Sequence, residues 1–328
     1  MKQKALVALL ASLMLASVSA TTALAQESGD EEEQLTMYFV GFGGADSPFW
    51  TIVMKGAEDA GRQANVDVRW VSPLEFEIKQ IVDLIDQAIA AQPDGIAMAI
   101  ADPVAQAEAA QRAVDAGIPV YAADAPPSEI PADDPFLSYS GQDEYIAGRE
   151  AADRLLSIRT PQRAVCSVME AGNVALERRC QGLIDVMDEA GVPTDKLFVG
   201  TDPSQSVETL KSYLVSHEDA DALLTVGSLA ALPALSYFDG EGSSVFQDRQ
   251  MLWGTFDFDP LTAQAIADGK ILFTVDQQPY LRGFIPINLL ALNARYGIAP
   301  VRPYLTGPTL VDASTIDEVI ELNKLRYR

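Results

Sequence analysis

Residues 94–124 read DGIAMAIADPVAQAEAAQRAVDAGIPVYAAD, and this stretch decides the fold class. The apolar runs at its two ends, 94–100 and 118–123, are typical of strands that are covered on both faces of a sheet. The segment between them, 104–116, has the length and composition of a helix. Two strands joined by a helix pair in parallel through a right-handed crossover, so this stretch predicts an α/β fold.

The same alternation of strand and helix extends in both directions from this unit. Further strands are predicted at 35–42, 66–71, 163–169, 197–201, 222–225, 251–256 and 271–275. Further helices are predicted from Ser47, over 75–91, 143–157, 175–190 and 204–217, through Tyr237, and over 260–268, 280–295 and 314–323. There are too many units for one compact sheet, and the length suits two domains. A (β/α)₈ barrel also alternates in this way, so the pattern alone leaves that fold open.

The N-terminus has the features of a secretory signal peptide. Lys2 and Lys4 precede an apolar run, 5–18, which is too short to span a bilayer, and Ala23-Leu24-Ala25 follows as a small-residue exit. We therefore predict a signal peptide over 1–25 and export, which in a two-membrane bacterium means the periplasm. Residues 26–34, QESGDEEEQ, are acidic and lack apolar periodicity, so they predict a disordered lead-in.

Composition excludes several classes of function. The chain has 47 Asp and Glu against 23 Lys and Arg, and such an acidic protein repels the phosphates of nucleic acid. One histidine and two cysteines do not make a zinc site of the Cys/His type, and no metal is expected. No phosphate-binding glycine motif follows any predicted strand, so no cofactor is expected.

The two cysteines, Cys166 and Cys180, have two interpretations. In an oxidising compartment they can form a disulfide, which stabilises by constraining the unfolded chain. Alternatively they are two buried free thiols, since free cysteine often packs as a small apolar residue.

Polar side chains follow several strands, at the edge where open parallel sheets bind ligands. Asp124 and Asp257 each come directly after a predicted strand, Gln277 comes two residues after one, and Asn173 and Arg179 come after another. Carboxylates accept hydrogen bonds from hydroxyls, and a guanidinium can bridge neighbouring oxygens. This chemistry suits a small sugar or polyol.

Aromatic residues follow the first strand, where Ser47 is followed by Pro48, Phe49 and Trp50. Flat aromatic faces pack against the apolar face of a sugar ring.

Each of these residues also has a structural interpretation. Asp124 could cap a turn and Asp257 could cap the following helix. Phe49 and Trp50 could be ordinary core residues, and Arg179 could be a solvated helix residue.

Several motifs together make the chain resemble the ribose-binding-protein branch of periplasmic type I solute-binding proteins, the receptors of ABC sugar importers. The resemblance runs from about Leu35 to Leu310. The motifs are Ser47-Pro48-Phe49-Trp50, Gln92-Pro93-Asp94-Gly95-Ile96, Ala116-Gly117-Ile118-Pro119-Val120 with Asp124, Arg179-x-x-Gly182, Gly254-Thr255-Phe256-Asp257 and Asp276-Gln277-Gln278-Pro279.

The resemblance implies two doubly wound parallel-sheet lobes joined by three crossover strands, the periplasmic binding protein type I fold. It places the N-terminal lobe at 35–140 plus 278–306 and the C-terminal lobe at 141–277 plus 307–328. The crossings are expected near 139–141, 276–279 and 304–307.

The resemblance also assigns roles to the candidate residues. Phe49 and Trp50 are expected to sandwich the sugar ring, with Ser47 nearby. The residues expected to hydrogen-bond its hydroxyls are Asp124, Asn173, Arg179, Asp257 and Gln277. Ala125 stands where many relatives carry arginine, and Gly227-Ser228 stands where relatives place Asn-Asp. These departures favour a different polyol, a deoxy sugar or a larger ligand over ribose.

We therefore predict a monomeric periplasmic substrate-binding protein, not an enzyme, that captures a sugar or polyol between its lobes and delivers it to an ABC permease in the inner membrane. A ligand sensor for a chemotaxis or signalling partner is an alternative with the same fold. A glycoside-processing enzyme using paired carboxylates such as Asp124 and Asp257 is a more distant one.

Overall fold

A computed structural model describes residues 33–43, 47–124, 134–300 and 302–328. The predicted signal peptide and most of the predicted acidic lead-in lie outside these residues. No helix within the described ranges is long and apolar enough to cross a membrane.

The first lobe is built on a six-stranded sheet with the order β11-β5-β4-β3-β1-β2. Its strands are β1 (Leu35–Val40), β2 (Val66–Val71), β3 (Gly95–Ala99), β4 (Val120–Ala123), β5 (Tyr139–Gly141) and β11 (Tyr304–Leu305). Its helices are α1 (Pro48–Gln63), α2 (Ile78–Ala90), α3 (Pro103–Asp115) and α10 (Pro279–Tyr296). Every pair in this sheet is parallel. All residues of β3 and β4 are buried, because helices cover both faces.

The second lobe repeats this plan with the order β12-β10-β9-β8-β6-β7. Its strands are β6 (Arg163–Val168), β7 (Thr194–Phe198), β8 (Ala220–Thr225), β9 (Leu252–Phe256), β10 (Phe273–Asp276) and β12 (Thr309–Asp312). Its helices are α4 (Glu144–Ile158), α5 (Val174–Glu189), α6 (Pro203–Ser216), α7 (Ser228–Asp239), α8 (Ser243–Arg249), α9 (Pro260–Ala267) and α11 (Ile316–Lys324). The two lobes therefore confirm the type I fold and exclude the barrel.

The chain passes between the two sheets three times, after β5, after β10 and between β11 and β12. These passages lie where the resemblance places the crossings. The exact residue bounds of the two lobes stay a prediction.

Some local predictions were wrong. The edge strand β12 was not predicted, and it runs antiparallel to β10, whereas the alternation of strands and helices predicted parallel sheets. The reason is that β10 leaves the second lobe at the carboxyl end of its sheet, while β12 enters that lobe from β11 of the first lobe at the same end, so the two strands run in opposite directions. β7 begins three residues earlier than predicted and ends at Phe198, and α8 was not predicted.

Each lobe has one pair of helices packed backbone to backbone, and glycines make this approach possible. Gly56 of α1 and Gly283 of α10 face each other's main chains in the first lobe, and Gly148 of α4 and Gly182 of α5 do so in the second. A Cβ at any of the four would overlap a backbone atom of the partner helix. The close fit fixes how α10 and α5, which both carry residues of the site, sit on their sheets.

Of the two interpretations of the cysteines, the structure has the disulfide. It joins Cys166 in β6 to Cys180 in α5, with a Cα–Cα distance of 5.6 Å, and both residues are fully buried. The bond attaches the middle of α5 to β6, an inner strand of the second sheet.

Candidate functional site

A cavity of about 220 Å³ lies between the two lobes, at the carboxyl ends of the strands of both sheets. The predicted site residues all line it: Ser47, Phe49, Trp50, Asp124, Asn173, Arg179, Asp257 and Gln277. Pockets for drug-sized ligands measure roughly 300–1,000 Å³, so this one suits a single small ring. The side chains that sequence analysis placed after five different strands are therefore neighbours in space.

The aromatic residues form one wall of the cavity. The rings of Phe49 and Trp50 are 5.0 Å apart with an interplanar angle of 89°, and Phe42 meets Trp50 edge-on at 4.6 Å. A sandwich would need two near-parallel rings about 7 Å apart, so the prediction of a sandwich is wrong for this structure. The reason is that successive residues of a helix point about 100° apart. Both rings also belong to the core, as the structural interpretation expected.

Asp124 and Asp257 occupy equivalent places in the two lobes. Each directly follows the fourth strand of its lobe, β4 or β9, and each has a left-handed backbone, with φ of 58° and 69° respectively. Aspartate is one of the few residues that adopt this conformation readily. Asp257 is not a helix cap, because Asp259 caps α9. The matched conformations point both carboxylates into the one cavity.

Arg179 is buried and holds three partners, so it is not a solvated helix residue. Its Nε lies 2.6 Å from Glu144 Oε2, and its Nη1 and Nη2 donate to the Val226 carbonyl and to Gln277 Oε1, each at 2.7 Å. Gln277 in turn donates from Nε2 to Asp257. Burial opposes the charge of Arg179, but the carboxylates of Glu144, Asp257 and Glu170 together outweigh it and raise the pKa of Arg179.

Two charged residues of this network were missed by sequence analysis. Arg282 of α10 is fully buried and forms an ion pair with Asp124, and its Nη2 lies 3.6 Å from Glu144 Oε1. A charged residue on the apolar face of a predicted helix could have indicated both Arg282 and Glu144. Arg282, for example, shares a helix face with Pro286 and Leu290. The result is a buried chain of charges that connects the two lobes beside the crossings.

The remaining predicted residues have local roles as well. Asn173 caps α5 by accepting the Ala175 N–H at 3.0 Å, and it donates from Nδ2 to Glu170 at 2.8 Å. Ser47 stands at the N-cap of α1 but its side chain makes no capping hydrogen bond. Its hydroxyl is therefore not used by the helix.

Two acidic side chains of the cavity have raised pKa values. Burial raises the pKa of Glu170 to about 7 and that of Asp257 to about 6. Arg179 lowers both electrostatically, and the Asn173 and Gln277 amides lower one each, but burial outweighs these contributions.

A backbone hydrogen bond joins the two lobes across the cavity. The N–H of Val174, the first residue of α5, donates to the carbonyl of Ala101 after β3 at 3.0 Å. Helix N-termini have N–H groups without partners in the helix, and here one of them uses the opposite lobe. The structure thus has the two lobes in contact on the side of the cavity away from the crossings.

Some of the residues that depart from the family pattern lie at the cavity. Ser228 lines it, and Gly227 leaves space that the methyl group of Met169 fills. Ala125 lies outside the described residues. Within the ranges that the structure describes, no group of three or more His, Cys, Asp or Glu could hold a metal ion.

Solved structures share this fold over most of their length. A carbohydrate transporter from Acidothermus cellulolyticus 11B, in complex with myo-inositol, is 30% identical, with a TM-score of 0.81 over 90% of this chain and 100% of that chain. A periplasmic sugar-binding protein of an ABC sugar transporter from Legionella pneumophila is 28% identical, with a TM-score of 0.77 over 83% of this chain and 99% of that one.

Among curated proteins, the xylose/arabinose-binding protein XylF of Sulfolobus acidocaldarius is 28% identical over 282 residues. The match covers 83% of this chain and 66% of that protein, so this chain spans just under two thirds of the length of its curated relative. A model for the periplasmic binding protein domain matches residues 38–297. The chain accordingly belongs to the periplasmic binding protein family.

Proposed function

We propose that this protein is the substrate-binding component of an ABC importer, which captures a sugar or polyol between its lobes in the periplasm and delivers it to a permease in the inner membrane. It acts as a monomer and performs no chemistry on its ligand. The observation that carries the proposal is the interlobe cavity, in which carboxylates, amides and a guanidinium face an aromatic wall. The relatives that bind myo-inositol, xylose or arabinose support the same ligand class.

Each group has a role in holding a polyol. Asp124 and Asp257 accept hydrogen bonds from hydroxyls, one from each lobe, and Asn173 and Gln277 offer amide donors and acceptors. The aromatic wall packs against the apolar face of the ring. Because Arg179 is held by Glu144 and Gln277, it presents its remaining donors to the ligand in a fixed orientation.

Ligand binding favours the closed arrangement of the lobes. A ring in the cavity touches Asp124 and the aromatic wall on one side and Arg179 and Asp257 on the other, so it binds the closed form better than an open one. The permease then distinguishes loaded from empty protein by the position of the lobes.

A thermal-shift and titration screen tests the proposal. The mature chain is mixed with D-xylose, L-arabinose, D-ribose, D-glucose and myo-inositol, with amino acids as the negative set. A ligand at about 100 times its Kd stabilises the fold by about 2.7 kcal/mol. A carbohydrate that binds the wild type but not Asp257→Gly, which removes the carboxylate and tolerates the left-handed backbone, supports the proposal, whereas binding of amino acids alone would refute it.

A further inference from the structure

In the absence of ligand, the carboxylates at the cavity outnumber the guanidinium groups, so the site carries an excess of negative charge. The two guanidinium groups at the site are both held by carboxylates, Arg282 by Asp124 and Glu144, and Arg179 by Glu144. Two further carboxylates, those of Glu170 and Asp257, line the cavity on the side of the second lobe.

Neither of these two carboxylates has an ion pair of its own: both feel the charge of Arg179, but the ion pair of Arg179 is with Glu144. Glu170 accepts from the amide of Asn173, and Asp257 accepts from the amide of Gln277. No lysine or arginine forms an ion pair with either of them anywhere in the described ranges. The internal segments outside those ranges, 44–46, 125–133 and 301, contain no Lys, Arg or His that could supply one.

Asp257 is close enough to Glu170 to disfavour the negative charge of Glu170. The charge of Asp257 adds to the effect of burial in raising the pKa of Glu170. These two carboxylates share the charge of Arg179 with Glu144, so their negative charge is only partly compensated, and a ligand that brings a positive charge gains more here than a neutral one.

A third acceptor lies on the same wall. The side chain of Ser228 lines the cavity, its residue is 4% exposed, and its Oγ has no hydrogen-bond partner in the structure. Buried hydroxyls are normally paired, so an unpaired one that faces a binding cavity indicates a polar ligand group beside it.

We propose that the ligand is a polyhydroxylated ring that carries a protonated amine, such as an amino sugar or an aminocyclitol, with its ammonium group between Glu170, Asp257 and Ser228. An ammonium group has three donors and no acceptor, which matches these three oxygen-bearing side chains. The inference rests on the proposed function and narrows its ligand class. The hydroxyls of the ring contact Asp124, Arg179 and the aromatic wall as for a neutral sugar.

Matched pairs of ligands that differ in one substituent test the inference by titration calorimetry at pH 7.5. The pairs are D-glucose and D-glucosamine, D-galactose and D-galactosamine, and scyllo-inositol and scyllo-inosamine, with the N-acetylated amines as uncharged controls. A hydrogen bond to a charged group is stronger than a neutral one, so in at least one pair the amine should bind at least about tenfold more tightly. N-acetylation should remove this advantage.

Two isosteric variants test whether Glu170 and Asp257 cause the preference for the amine. Glu170→Gln and Asp257→Asn keep shape and hydrogen-bonding capacity, and Asn tolerates the left-handed backbone at position 257. Each should reduce the preference for the amine to less than about threefold, and thermal unfolding verifies that each variant folds. Neutral sugars that bind as tightly as their amines overturn this inference and leave the proposed function intact. Binding by no carbohydrate of either set overturns both.

Discussion

The Val174→Pro substitution is expected to weaken ligand binding because it deletes the N–H that bridges the two lobes. Val174 is the first residue of α5, the helical position at which proline is best tolerated. The preceding residue, Asn173, has φ −75° and ψ 105°, the extended conformation that proline requires before it. The Asn173 cap is unaffected, since it uses the N–H of Ala175.

The size of the effect follows from one hydrogen bond. A typical intramolecular hydrogen bond contributes about 0.5–1.5 kcal/mol net, and this one exists only when the lobes are in contact. Its loss therefore raises Kd by about 2- to 12-fold, at 1.4 kcal/mol per factor of ten. Unfolding of the ligand-free protein should change little, because neither lobe loses an internal contact.

Titration of the tightest-binding carbohydrate measures this change, with Val174→Ala as the matched control. Alanine keeps the N–H while removing the same side chain, so it should bind within about twofold of the wild type. If Val174→Pro also binds within that range, the bridge to Ala101 contributes nothing to closure. If both variants are weakened equally, the side chain and not the hydrogen bond is responsible.

Three other changes should alter stability. Arg179→Ala leaves its buried partner Glu144 with only the more distant Arg282, 3.6 Å away, and should lower the free energy of unfolding by about 3–5 kcal/mol in a urea titration; a loss under 1 kcal/mol would contradict the role of this ion pair. Reducing the Cys166–Cys180 bond, which closes a separation of 14 residues, should cost about 3 kcal/mol in the same assay, and equal midpoints with and without reductant would argue against it. Burial raises the pKa values of Asp257 and Glu170 to about 6 and 7, so the folded protein binds these protons more tightly than the unfolded chain does. Stability without ligand should therefore fall as pH rises from about 4 to 7, and Asp257→Asn should flatten this dependence.

The fold and the lining of the site were predictable because both depend on local patterns. Alternation of apolar strands and helices predicts a parallel sheet, and a polar residue after such a strand lies at the ligand-binding edge. For Asp124, Asp257 and Gln277, position in sequence was therefore enough to indicate position in the cavity.

The electrostatic partners could not be predicted in the same way. Arg282 compensates Asp124 from a helix 158 residues further along the chain, and only the packing of α10 on the first sheet brings them together. The sandwich was wrong for a related reason, since the sequence shows that Phe49 and Trp50 are adjacent but not how α1 is rotated about its axis. Antiparallel pairing of β12 likewise depends on its entry into the second lobe from β11 of the first lobe.

The left-handed backbones of Asp124 and Asp257 have a consequence for how this site can diverge. At φ of 58° and 69°, only glycine, asparagine and aspartate are accommodated at little cost. Mutation can remove a carboxylate at either position or exchange it for an amide, but a lysine or arginine there would strain the main chain. Descendants of this protein, and engineered sensors made from it, can thus pass from cationic to neutral cargo in single steps at these positions, while anionic cargo requires changes elsewhere in the cavity.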